Sequence, residues 1–328
     1  QQEEIRYTST RHEQVAAFMA DGYARGSGEI GVCMASRGPG AANLAIGVHN
    51  PYAESVPVLA LLGQVADEIY YREAFEEMDL VKFYEPMTKW AMEVHKAERI
   101  PELLQRAVRT ALSGRPRPVM VSLPLDVQLE RLDSVSYQPR YRHQPPVPPA
   151  AEVEKAVQLL ERAQRPVLIL GGGASSPSCR EAALSLAERL HLPVVTTWLR
   201  KDVFPNRHPL FLGSLGFGAA AVTEEVVRES DVALAVGCHF SEFTTKRWTL
   251  LSPETKLIHV EIDPEEIGKI YLPEIGLQGD AAQTLQQMVS ALERIPIRPE
   301  GVEERRRRNG RLQERYQEER LATLEGLA

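Results

Sequence analysis

Two rhythms of apolar and polar positions alternate along this chain. Short apolar runs predict strands, and apolar residues recurring every three or four positions predict helices between them. The β-favouring stretch 5–10 predicts a first strand. Residues 13–25 predict a helix with Val15, Phe18, Met19, Gly22 and Tyr23 on one face, ended by Gly26 to Gly28. Gly31 to Ala35 reads as a short buried strand, and a Gly38-Pro39-Gly40 turn leads into a helix through about Tyr52. Val56 to Leu62 is nearly continuous in apolar residues, as in a parallel strand covered on both faces. A helix over 99–113 and a strand over Val119 to Leu123 follow.

The pattern breaks over 131–149, where Tyr137-Gln138-Pro139 and Pro145-Pro146-Val147-Pro148-Pro149 exclude a helix or a central strand. It then resumes. A helix over 151–163 leads to a strand over Pro166 to Leu170, then Gly171-Gly172-Gly173 and a helix over 178–190. Strands are expected at Pro193 to Thr197, Asp231 to Val236 and Lys256 to Ile262, with helices around 219–229 and 280–293. Alternating strand and helix predicts an α/β protein of two doubly wound parallel-sheet domains, the second Rossmann-like. The expected division is 1–130, a linker over 131–150, 151–298, and a charged helix over 299–328 that connects to something further. The first residue is Gln, so the chain is expected to be the interior of a longer protein.

Composition narrows the class. With 328 residues, 43% hydrophobic, 25% charged and a net charge of −7, the chain has no basic footprint for nucleic acid. Arg305 to Arg308 sit among glutamates and read as a solvated helix face. The apolar run Val56 to Val65 is too short to span a membrane. Cys33, Cys179 and Cys238 form no CxxC pair, which fits a reducing, cytoplasmic setting without a metal site.

The chemistry concentrates near the start. Glu13 opens the first helix, and Ser36-Arg37-Gly38-Pro39-Gly40-Ala41-Ala42-Asn43 forms a tight corner after a strand. A glutamate in a first helical turn is by itself an ordinary dipole partner. Beside a glycine corner that lets another group approach the backbone, it can serve a flat heterocycle by protonating one ring nitrogen. Phe75-Glu76-Glu77 falls in a loop after a parallel strand, where sites form in open sheets. The plainer reading of that loop is a solvated helix start. Gly171, Gly172 and Gly173 fit either a phosphate corner or a packing turn, since Ser176 breaks the full GxGxxG pattern.

Arg11-His12-Glu13-Gln14, Asp21-Gly22-Tyr23-Ala24-Arg25, Gly38 to Asn43, and Ser55 to Leu59 through Gly63-Gln64-Val65 together resemble the pyrimidine-binding domain of thiamine-diphosphate enzymes. The likeness is to the acetolactate synthase large, catalytic subunit. Val167 to Gly173, His259 to Lys269 and Gly279-Asp280-Ala281 resemble the central domain of that family. The resemblance implies that Glu13 holds the N1′ nitrogen of thiamine diphosphate, with Gly38, Pro39, Gly40, Asn43 and Gln64 beside the cofactor. Arg37, Phe75 and Glu76 would line the substrate pocket. It implies decarboxylation of a small 2-oxo acid with carboligation. The alternatives are a decarboxylase of the oxalyl-CoA decarboxylase type or a non-catalytic nucleotide-binding module. Magnesium and the diphosphate would be held by a third domain, and a second copy of the chain would complete the site, so this piece alone is expected to be inactive. The first domain lacks its opening strand and helix by the same comparison. FAD or ADP is the group offered to the central domain, through Gly171, Gly172, Gly173, Glu261 and Asp280.

Three departures carry expectations of their own. Glu76 stands where those synthases have Gln, and Arg37 is inserted at the corner, placed to pair with Glu76 or an acidic substrate. The flavin-binding run Gly-Arg-Phe-Asp-Asp-Arg is here Gly237-Cys238-His239-Phe240-Ser241-Glu242-Phe243, without its arginines, and the preceding Met-His is Phe217-Gly218.

Overall fold

The computed structural model describes residues 5–134 and 144–326, in two units that divide between Gln144 and Pro145. The first holds α1 (Glu13–Ser27), β1 (Gly31–Ala35), α2 (Pro39–Glu54), β2 (Val58–Gln64), α3 (Leu80–Tyr84), β3 (Trp90–Glu93), α4 (Ile100–Leu112), β4 (Val119–Pro124) and α5 (Leu125–Leu129). Its sheet is parallel throughout, in the order β1-β2-β4-β3. β2 is apolar from Val58 to Leu62 because it lies inside the sheet, with helices on both faces.

Two expectations fail here, each for a packing reason, and a third element turns its expected face outward. Residues 5–10 form no strand; Ile5 and Tyr7 are largely exposed, and no sheet edge takes them up. β1 is not buried throughout but alternates, with Val32 and Met34 open, because it is an edge strand covered on one face. In α1 the large apolar residues Val15, Phe18, Met19 and Tyr23 face outward, whereas Ala17, Ala20 and Ala24 face the core. Small residues win that side because α2 lies so close: a Cβ on Gly47 would sit 2.4 Å from Ala17 Cβ.

The second unit holds α6 (Ala150–Arg162), β5 (Pro166–Leu170), α7 (Pro177–Leu190), β6 (Val194–Thr196), β7 (Phe211–Ser214), α8 (Ala221–Arg228), β8 (Val232–Val236), α9 (Glu242–Thr245), β9 (Lys256–Glu261), β10 (Ile275–Gln278), α10 (Ala281–Ala291) and α11 (Pro299–Glu325). Its six parallel strands run β10-β9-β8-β5-β6-β7. Counted within the unit, that is the Rossmann order, with the switch point between β5 and β8. Of the expected linker, 131–134 and 144–149 are irregular, while Tyr137-Gln138-Pro139 lies outside the described residues.

α11 is not solvated all round. Leu312 packs into the core of this unit, and Arg305 and Asn309 are each 3% exposed. The Arg305 guanidinium donates to the carbonyls of Leu190 at 2.8 Å, Leu160 at 3.2 Å, Ala163 at 3.0 Å, and Glu161. It therefore satisfies the carbonyls that α6 and α7 leave open at their ends. The basic run is a buried cap at this position.

Candidate active site

α1 begins at Glu13 because His12 caps it, its Nδ1 accepting from Gln14 N at 3.2 Å. α2 begins at Pro39 on a Gly38 cap held at φ 44°, a left-handed value that glycine adopts without strain. The two helix starts bring Glu13 to Asn43, whose Nδ2 donates to Glu13 Oε2 at 3.1 Å. Gly40 lies under the same carboxylate: a Cβ there would come within 3.4 Å of Glu13 Oε1 and 2.5 Å of Ser36 Oγ. Glu13's own backbone N–H and the Asn43 amide hold the carboxyl below its ordinary range. It is an ionised carboxylate, open to solvent on its remaining side.

The loop after β2 closes on this corner. Arg37 Nε donates to the Phe75 carbonyl at 3.0 Å, and the space above Gly38 is taken by Glu76 O, 2.5 Å from an ideal Cβ. Thus Arg37 engages this loop through the backbone of Phe75; of its two expected partners, the Glu76 carboxylate and an acidic substrate, the first is replaced by a carbonyl. Phe75 is 77% exposed, and Pro39 and Asn43 are open as well. Tyr84 in α3 ties α2 in place, its hydroxyl donating to Ala41 O at 2.6 Å. Eight expected residues therefore gather at one corner: Glu13, Arg37, Gly38, Pro39, Gly40, Asn43, Phe75 and Glu76. Gln64 departs from its expected role. It is 1% exposed, donates to Met78 O at 2.8 Å and accepts from Val65 N at 2.9 Å, so it clamps the loop from within.

The glycine corner of the second unit is a different object. A Cβ on Gly171 would lie 2.1 Å from Gly237 O, and one on Gly173 2.8 Å from Gly237 Cα. Gly173 N also donates to Gly237 O at 3.2 Å. These glycines are required by one loop packing on another. Gly172 faces the Arg200 guanidinium, whose Nε is 3.0 Å from an ideal Cβ. Glu261 Oε1 accepts from Ile262 N at 2.9 Å, and Asp280 Oδ1 caps α10 through Gln283 N at 2.9 Å. Trp198, after β6, stacks on Phe243, after β8, with centroids 4.9 Å apart. β6 and β8 lie on either side of β5, so this stack joins two loops beside the switch point.

The three cysteines are free and buried, and burial pushes the Cys33 thiol up to about 12, so Cys33 is core and not a nucleophile. Among the described residues no group of three or more His, Cys, Asp or Glu gathers to hold a metal. No described helix is long and apolar enough to cross a membrane.

Comparison with known proteins finds two family matches along the chain. Residues 1–83 match the thiamine pyrophosphate enzyme N-terminal TPP binding domain, and residues 153–288 match the thiamine pyrophosphate enzyme central domain. A probable acetolactate synthase large subunit of Methanocaldococcus jannaschii is 41% identical over 296 residues, covering 88% of this chain and 50% of the relative. The acetolactate synthase large subunit of Corynebacterium glutamicum is 36% identical over 306 residues, 92% of this chain and 48% of its own length. The isozyme 3 large subunit of Escherichia coli is 36% identical, with 88% and 51% covered. The chain spans about half the length of the curated relatives it matches.

Proposed function

The chain belongs to the thiamine pyrophosphate enzymes, carrying their N-terminal and central domains, and on that premise we propose that it forms the pyrimidine side of a thiamine-diphosphate site for decarboxylation of a 2-oxo acid with carboligation. The observation that carries the proposal is the Glu13 carboxylate, bonded to Asn43 and lying against Gly40 at an open glycine corner. A flat aminopyrimidine fits such a corner because no Cβ stands over Gly40 and the outer side of the carboxylate is free.

Thiamine diphosphate, when bound, supplies a thiazolium carbon that adds to the 2-oxo acid and takes up the electron pair left by carbon dioxide. The chain's own part is to hold and share a proton. Glu13 keeps a proton at the ring nitrogen N1′, which raises the acidity of the amino group on the same ring. As an exposed carboxylate held low by Asn43 it favours the ionised form. Covering it with an apolar ring and a second subunit removes water, raises its proton affinity and makes sharing with N1′ possible. Asn43 fixes the carboxylate's direction throughout. Arg37 brings positive charge beside the corner for an anionic substrate, while Phe75 supplies an apolar wall.

The covering subunit is a second copy of the chain. Its support is the outward stripe of Val15, Phe18, Met19 and Tyr23 on α1, with Ile46 at 58% exposure on α2. Magnesium and the diphosphate fall to residues other than those described here. On the same reading the second unit has no FAD or ADP, because the run Gly237 to Phe243 lacks the arginines of the flavin-binding pattern. Free, buried cysteines support a cytoplasmic setting.

Product analysis tests the reading. Protein purified from its source cells is given pyruvate, thiamine diphosphate and magnesium. Acetolactate is expected. Acetaldehyde alone would replace carboligation with simple decarboxylation, and no consumption of pyruvate would remove the proposal.

A further inference from the structure

Between β2 and α3 the chain makes a loop whose shape is unusual for its sequence. Tyr71, Glu73 and Glu76 all take left-handed backbone angles, at φ 62°, 57° and 61°, and none is glycine. L-residues hold that conformation only where surrounding contacts enforce it. Some of those contacts come from outside the loop. Arg37 donates to Phe75 O and Gln64 to Met78 O, both on the C-terminal half. The N-terminal half is held from within by one side chain. Glu77 Oε1 accepts from Tyr71 N at 2.9 Å, and Glu77 Oε2 accepts from Ala74 N at 3.1 Å. Its own N–H closes the turn on Ala74 O at 3.0 Å.

We propose that Glu77 is a positioning residue for the substrate pocket: its carboxylate cross-links Tyr71 and Ala74 and thereby fixes the turn that presents Phe75 and Glu76 to the Gly38 corner. The inference rests on the reading that Phe75 and Glu76 line that pocket. Two backbone donors converge on it, so the side chain must accept at both of its ends. A carboxylate does this, and each bond is charge-assisted. Glutamine has the same length but offers one acceptor and one NH2, which sets a donor against a donor. Aspartate is one methylene short. Glu77 does not touch the Glu13–Asn43 pair, so its effect is on where substrate sits and not on the proton at the cofactor.

Amide hydrogen exchange on the wild-type protein gives the first test. The Tyr71 and Ala74 amides are expected to exchange slowly even though the loop lies at the surface. Exchange at the free-peptide rate overturns the inference without any variant being needed. In Glu77→Gln those two amides should exchange about tenfold or more faster, with the β2 amides unchanged. In the purified enzyme the same variant should raise KM for the 2-oxo acid about tenfold while kcat and thiamine diphosphate affinity stay within a factor of about three. Unchanged exchange in Glu77→Gln overturns the positioning role and leaves the proposed function standing. Faster exchange with unchanged KM also overturns it, because the loop then does not shape the pocket. Loss of acetolactate formation in the wild type is a separate failure, of the function itself.

Discussion

The two glycine corners, Gly38-Pro39-Gly40 and Gly171-Gly172-Gly173, look alike on paper and differ in what stands against them. Each follows a parallel strand and leads toward a helix. In the second unit the room made by Gly171 and Gly173 is occupied by the Gly237 backbone, and the aromatic stack of Trp198 and Phe243 joins two loops beside the switch point. In the first unit Gly38 likewise meets backbone, at Glu76 O, but the room at Gly40 is bordered by two side chains, Glu13 and Ser36, and Asn43, Pro39 and Phe75 remain open around it. A glycine reports that something comes close. Only its neighbour says whether that something is the fold or a ligand.

The sharpest way to break this contrast is at Glu13. Glu13→Gln keeps the shape and the Asn43 neighbour but removes the shared proton, so turnover should fall by about 10²–10⁴ in steady-state assays. Retained turnover would reduce the first corner to packing as well. Next come the glycines. Gly171→Ala drives a Cβ into backbone and should cost about 1–3 kcal/mol in denaturant unfolding. Gly40→Ala meets only the rotatable Ser36 hydroxyl, and alanine favours a helix over glycine by up to about 1 kcal/mol. Its stability should hold or rise while thiamine diphosphate binding falls, as titration calorimetry would show. Equal destabilisation by both would erase the difference between the corners.

A smaller effect is expected at the aromatic stack. Trp198→Ala should lose about 0.5–1.5 kcal/mol beyond its buried area. The wild type should carry no flavin band after desalting and show no quenching of tryptophan fluorescence by added FAD. Stoichiometric flavin would overturn the reading of the second unit as flavin-free. The smallest effect is in acid. Glu13's carboxyl lies below its ordinary value in the folded chain, so the folded state binds that proton less readily than the unfolded state. Its stabilising contribution is therefore present above the unfolded pKa and lost as pH falls through the folded one. The stability gap between wild type and Glu13→Gln should therefore narrow in urea melts as pH falls through the carboxylate range.

Much of the fold is legible because central strands announce themselves. Val58–Leu62, Pro166–Leu170 and Val232–Val236 are apolar throughout, and each is a strand inside its sheet. The edge strands β3, β7 and β10 escape notice, being only four residues each with mixed patterns. The apolar stripe of α1 misleads in the opposite way: hydrophobic periodicity marks a face that needs covering, and here the intramolecular side is the one lined with alanine. Arg305 carries no sign of burial in its sequence, since four carbonyls from distant helices make its site. The Glu13 corner is legible because carboxylate, glycines and asparagine lie within one helix–strand–helix unit. Glu77 is not, because a side chain bonding to backbone amides leaves no periodic trace.

The central claim is that Glu13 shares a proton with the aminopyrimidine ring, and the exchange of the C2 hydrogen of bound thiamine diphosphate for deuterium reads it most directly. With cofactor saturating in both proteins, the wild type should exchange about 10²–10⁴ times faster than Glu13→Gln. Equal rates would contradict the account, since the carboxylate would then play no part in activating the coenzyme.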